Sequence, residues 1–168
     1  MRSAPSLLTI PLAALAAAIL SACSFGPSDP SERRVGSFEG RWDGLPWRGR
    51  SYAVLQRDTL FVVGHRPDPK AYYDEYVRAR VPFSGTGTYR IEGRAGQLAK
   101  IVGGDAGYFP DATGTLTIRS YDAQARTVAG EISLSAESVT PAWHAEGEFH
   151  ARVYSSFAEV PSARPRSP

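Results

Sequence analysis

The chain has 168 residues, 19 Lys and Arg against 17 Asp and Glu, a formal net charge of +2, 42% hydrophobic residues and a single cysteine. That length supports one domain around one hydrophobic core, and so even a charge balance supplies no polybasic field of the kind that holds nucleic acid. One cysteine excludes an internal disulfide framework and a Cys-type zinc site.

At the start, Arg2 precedes an apolar run from Leu7 to Leu20, and the small residues Ser21 and Ala22 lead to Cys23. This is the layout of a cleavable export signal, and a run of fourteen residues is too short to span a bilayer comfortably. The four residues Leu20-Ser21-Ala22-Cys23 resemble the lipobox of bacterial lipoproteins. The resemblance implies a diacylglyceryl group on the Cys23 thiol, cleavage just before it, and acylation of the new amino group by a fatty acid such as palmitate. Loss of residues 1–22 leaves a mature chain of 146 residues in which 18 basic side chains face 17 acidic ones. The lipidated thiol is then closed to nucleophilic chemistry, and two or more acyl chains give the lasting membrane attachment that one cannot. Ser24 rather than aspartate follows the cysteine. By the sorting pattern of two-membrane bacterial lipoproteins this implies the outer membrane in preference to the inner one.

Residues 23–36 are polar, are interrupted by Pro27 and Pro30, and carry too little apolar surface to offset the entropy of ordering, so they form the expected tether. Residues 37–160 are the expected folded domain, and the proline-rich residues 161–168 a frayed tail. Inside the domain no window shows apolar residues at helical spacing, whereas alternation of period two recurs. Strands are predicted at Gly36–Trp42, Ser51–Gln56, Thr59–His65, Glu75–Phe83, Thr86–Gly93, Gly114–Tyr121, Val128–Ser135 and Trp143–Tyr154. Arg57-Asp58 and Asp122–Arg126 are the predicted hairpin connections. In the last strand Trp143, Ala145, Gly147, Phe149, Ala151 and Val153 share the core face, and His144, Glu146, Glu148, His150 and Arg152 the wet one. The stretch from Gly93 to Ala112 is predicted as a long loop with a brief strand at Leu98–Val102. The expected fold is all-β: a single antiparallel β-sandwich or barrel of about eight strands, with the closure left open.

The segment GTLTIRSYDAQARTVAGEISLSA from Gly114, followed after a loop by HAEGEFHARV, resembles a family of uncharacterised bacterial lipoproteins whose domains end in such a hairpin and a Gly-x-Phe strand. Gly114, Leu116, Ile118, Tyr121, Asp122, Gly130, Ile132, Gly147 and Phe149 carry the likeness, and Gly44-Leu45-Pro46-Trp47 is similar to the family's early Gly-x-x-Trp segment. The resemblance implies a β-rich exported domain and assigns no catalytic residue.

Three places could carry chemistry. His144, Glu146, Glu148 and His150 alternate along one strand face, a spacing at which two side chains can chelate one metal, with His65 as the remaining histidine to complete a site. The same residues also serve as a wet sheet face whose glutamates pair with arginines such as Arg119. The loop from Gly103 to Gly114 holds Asp105 and Asp111 among glycines, either as calcium ligands or as turn formers. Tyr72, Tyr73 and Tyr76 cluster beside Asp74 and Glu75 and form the preferred recognition surface, since tyrosine rings grip partners with little loss of entropy. Trp42, Trp47 and Trp143 are expected in the core or at its rim. No Gly-x-Ser-x-Gly elbow, phosphate loop or dinucleotide fingerprint occurs.

The sequence therefore points to a non-enzymatic, membrane-anchored envelope lipoprotein that needs no cofactor and binds a protein or small-molecule partner or plays a structural role. The alternatives are a metal-dependent enzyme built on His144, Glu146 and His150, and a barrel that carries a small apolar ligand.

Overall fold

A computed structural model describes residues 33–66, 75–102, 105–137 and 142–161, so Cys23, Tyr72 and Tyr73 lie outside the described residues. Eight strands follow one another as an antiparallel meander: β1 (Ser37–Trp42), β2 (Leu45–Gln56), β3 (Thr59–Arg66), β4 (Glu75–Pro82), β5 (Gly87–Val102), β6 (Asp105–Asp122), β7 (Thr127–Ala136) and β8 (Trp143–Tyr154). The ring closes through β1 and β8 into a barrel. The fold is thus all-β as expected, and the closure is that of a barrel.

Period-two alternation builds the wall as the sequence pattern requires. In β8, Ala145, Phe149, Ala151 and Val153 are buried while Glu146 and Arg152 are exposed. In β7 the buried set is Val128, Ile132 and Leu134, and in β6 Leu116 and Ile118. These side chains meet Ala53, Leu60, Val62, Ile91 and Leu98 from the other strands, so the interior is a packed core.

Closure is tapered. β1 is short, and it lies between β8 and β2 only from Ser37 to Trp42. Below its start β2 and β8 pair directly with each other, parallel, through Tyr52↔Arg152, Ala53↔Val153 and Val54↔Tyr154. One end of the barrel therefore has a strand more than the other and is wider, since diameter grows with strand number. At the point of division the Ser51 hydroxyl, buried, is shared between the carbonyls of Ser37 (2.7 Å) and His150 (2.9 Å). The Gly36 amide donates to the same His150 carbonyl at 2.6 Å.

β1 is held in place by Phe38. Its ring occupies space that only glycine leaves open: a Cβ on Gly64 would sit 2.4 Å from the ring and one on Gly147 2.6 Å from it. Both glycines therefore serve as sockets in strands where a side chain would otherwise favour β structure.

Two expectations are corrected. Gly93 to Ala112 is not a loop but the greater part of a long hairpin of β5 and β6, with only residues 103–104 between the strands undescribed. The alternation there is hidden by register shifts between Ile91 and Gly96 and between Gly96 and Leu98. Pro110 falls in the second shift, where one strand carries an extra residue and a missing amide costs nothing. Second, β2 begins at Leu45 rather than Ser51. Pro46 and Gly49 mask its first turns of alternation, and the Gly49 backbone passes so near β3 that a Cβ would meet the His65 carbonyl at 2.3 Å.

Replacing Gly147 by alanine places a methyl group against the Phe38 ring and 2.8 Å from the Glu39 carbonyl. Urea unfolding of Gly147→Ala is expected to show a loss of about 2–3 kcal/mol with an unchanged slope.

Candidate functional site

The wide end of the barrel differs from the rest of the interior. Each strand sends one residue there: Trp42, Trp47, Arg66, Glu75, Lys100, Gly107, Ala136 and Trp143, of which Arg66 and Glu75, Lys100 and Gly107, and Ala136 and Trp143 are cross-strand partners. At the narrow end, by contrast, Phe83 and Tyr121 stack edge to face with centroids 4.9 Å apart, and the Tyr89 hydroxyl donates to the Gly85 carbonyl at 2.6 Å. One end is an apolar plug and the other a mouth that mixes tryptophan with charge.

The mouth is built from the tight turn between β1 and β2. Asp43 and Gly44 both have positive φ (50° and 77°), the geometry of a two-residue hairpin loop, for which Asp-Gly is a preferred sequence. That turn aims the Asp43 carboxylate back over the rim. One of its oxygens accepts from the His144 amide at 2.8 Å, the other from the Lys100 ammonium at 2.9 Å, and the Asp43 amide donates to the His144 carbonyl at 2.8 Å. Lys100 in turn lies over two indoles, 5.6 Å from the Trp42 ring centroid and 6.0 Å from that of Trp143.

Glu75 is 5% exposed, low for a carboxylate, and it is matched by two donors. The Trp47 indole N–H gives it a hydrogen bond of 3.0 Å and Arg66 an ion pair, while the Arg66 guanidinium also lies 5.9 Å from the Trp47 centroid. Trp42 packs between Trp47 (5.7 Å) and Trp143 (6.1 Å), and Phe109 meets Trp143 at 4.3 Å. Trp42 is 2% exposed, yet among the described residues its Nε1 has no hydrogen-bond partner.

Of the recognition tyrosines, Tyr76 stands on the outer face of β4 just below this rim, its ring 6.5 Å from that of Tyr108. Tyr72 and Tyr73 lie outside the described residues, in a connection whose two ends, Arg66 and Glu75, both belong to the mouth. Burial, and after it the neighbouring Tyr108, push the Tyr76 phenol up from 10.0 to about 12.

The histidine face of β8 is arranged as a set of separate contacts. His144 Nδ1 shares a hydrogen with Ser135 at 2.9 Å, and His150 Nδ1 is bonded to the Arg33 carbonyl at 2.7 Å. Glu148 lies abreast of Glu39 and Glu131 on the neighbouring strands, three like charges in one row. Arg33 bridges Glu148 and Glu39, and Arg119 pairs with Glu131. The three glutamates, with Arg41 and Glu146, line a shallow outer depression of about 370 Å3. Burial draws the Arg33 guanidinium down, but hydrogen bonds to Glu148 and Glu39 outweigh it and leave the pKa raised. Among the described residues no group of three or more His, Cys, Asp or Glu side chains could hold a metal ion. Of the glycine-rich loop, residues 103–104 are outside the described residues, and Asp111 is an exposed residue of β6.

The residues that define the mouth were only partly visible in the sequence. Trp42, Trp47 and Trp143 were expected at the rim or in the core, but Lys100 and Arg66 carried no signal, and Glu75 stood out only for the tyrosines beside it. The Asp43-Gly44 pair was the available clue to the rim. No protein-family model, curated protein or solved structure matches the chain.

Two outcomes follow from this geometry. Glu75→Leu strands the Trp47 indole N–H and the Arg66 guanidinium and is expected to cost about 1–3 kcal/mol, whereas Glu75→Gln keeps an acceptor and costs less; urea unfolding of the pair checks the order. In an alkaline absorbance titration one phenol is expected to ionise near 12, and Tyr76→Phe should remove that step. Because the folded pKa lies above the unfolded one, the stabilisation is complete below pH 10 and is lost as pH rises toward 12.

Proposed function

We propose that this chain is a lipid-anchored, non-enzymatic β-barrel protein of the bacterial cell envelope that binds a partner or small ligand through the wide mouth of its barrel. The observation that carries the binding part is the gathering of Trp42, Trp47 and Trp143 with Lys100, Arg66 and Glu75 at one end, while the other is plugged by apolar side chains. Barrel mouths are common ligand sites because the wall holds side chains rigidly from several directions at once. Tryptophan and arginine are also among the residues most enriched where binding energy concentrates.

The anchoring part rests on the lipobox and on the likeness of the C-terminal hairpin and Gly-x-Phe strand to β-rich bacterial lipoproteins. The position of the N-terminal segment suits it. Arg33 to Gly36 lie on the outer wall against β8, with Arg33 tied to Glu148 and Glu39 and its carbonyl to His150. The nine residues between Cys23 and Arg33 reach at most about 35 Å when extended. A tether of that length keeps the domain beside the bilayer. Ser24 favours the outer membrane as the site of attachment.

Cells fed labelled palmitate are expected to incorporate it into this protein, and Cys23→Ser to abolish both the label and sedimentation with membranes. Label-free protein, or a serine variant that still sediments, would overturn the anchoring. Binding is read separately from intrinsic fluorescence, since all three tryptophans of the chain lie in the mouth.

A further inference from the structure

Resting on the mouth as a binding site, we infer that its ligand is a small organic acid whose carboxylate is received by the Trp42 indole N–H and the Lys100 ammonium. Three buried side-chain polar atoms lack a partner among the described residues, Ser37 Oγ, Gln97 Oε1 and Trp42 Nε1, and Trp42 alone belongs to the mouth. An N–H buried without an acceptor costs about 1–3 kcal/mol, so its retention at the centre of a mouth calls for an occupant.

The mouth itself shows what that occupant is. Trp47 is placed like Trp42, an inward indole on the neighbouring strand with a cation against its ring, and the group bound to its N–H is the carboxylate of Glu75, which Arg66 neutralises. Trp42 has the same two parts, an indole N–H and the ammonium of Lys100 over its ring, but among the described residues no buried acid completes them. Lys100 is instead turned to Asp43 at the rim, where the two side chains are 21% and 33% exposed. Such a pair keeps part of the solvent screening that weakens ion pairs at a surface, and an incoming acid competes with Asp43 for the ammonium. A carboxylate matches both donors with charge-assisted hydrogen bonds, whereas an amine would meet Lys100 with like charge. With Trp42 only 2% exposed, the group that reaches it must be slim, which favours a small acid over the side of a folded partner.

The chain's three indole N–H groups give separate signals in a proton–nitrogen correlation spectrum of the lipidated, detergent-solubilised protein labelled with 15N. The probes are acetate and benzoate, with benzamide, tetramethylammonium and sodium chloride at equal ionic strength as controls. Benzoate or acetate is expected to shift the Trp42 signal saturably, with that of Trp47 unmoved and the controls without effect. Lys100→Met, a rim variant that leaves the barrel wall intact, is expected to weaken the response about tenfold. The Trp42 signal is assigned by its loss in Trp42→Phe, or by elimination using Glu75→Gln, which moves Trp47, together with Trp143→Phe, which removes Trp143. A Trp42 signal indifferent to both acids, an equal response to benzamide, or full affinity in Lys100→Met would overturn the inference. If benzamide or tetramethylammonium alone shifts an indole, the acid is wrong and the mouth still binds; if no probe shifts any, both readings fall.

Discussion

Where β1 begins, one serine hydroxyl lies between the carbonyls of two other strands, and the barrel divides there. Ser51 on β2 bonds Ser37 and His150, so β8 and β2 are joined below and held apart above by β1. The wedge would have little reason to stay, being six residues long, were it not for Phe38 seated in the spaces left by Gly64 and Gly147. A glycine in a strand gives up side-chain packing and conformational entropy. Here the loss is offset by an aromatic ring that is 1% exposed and stacks edge to face on Trp47 at 4.9 Å.

The wedge also decides what the upper barrel contains. A ring with an added strand has a wider interior, and larger side chains are needed to fill it. Trp42 and Trp47, both nearly fully buried, and the partly buried Trp143 supply that bulk. Indoles bring polar edges with them, and a polar edge inside a barrel needs a partner. Glu75 meets that need for Trp47 and in turn requires Arg66. Charge in the mouth thus follows from the width of the ring, which follows from the wedge.

The sequence made the lower barrel legible and the upper barrel obscure, for a physical reason. Strands such as Val128–Ser135 and Trp143–Tyr154 alternate cleanly because one face meets an apolar core and the other water. Near the mouth inward positions are taken by Arg66, Glu75 and Lys100, which a hydropathy pattern counts as outward. Register shifts in β5 and β6 further break the period of two, and Pro46 hides the start of β2. The wet face of β8 is legible: Glu146 turns to His144, and Glu148 does pair with an arginine, but the partner is Arg33, 115 positions away. Such a pairing depends on how the ring closes and leaves no local trace.

The order of the strands has a consequence for how the molecule comes into being. A ribosome makes β1 first and β8 last, yet β1 lies in the wall only with β8 beside it. The meander from β1 to β8 can assemble progressively through neighbours in sequence, while the outer edge of the opening strand waits, its backbone groups unpaired there, for the closing one. The contact that completes the ring is therefore the most non-local of all, and contacts of that kind set slow folding rates. Whatever shelters a nascent chain must hold this one until its eighth strand has emerged.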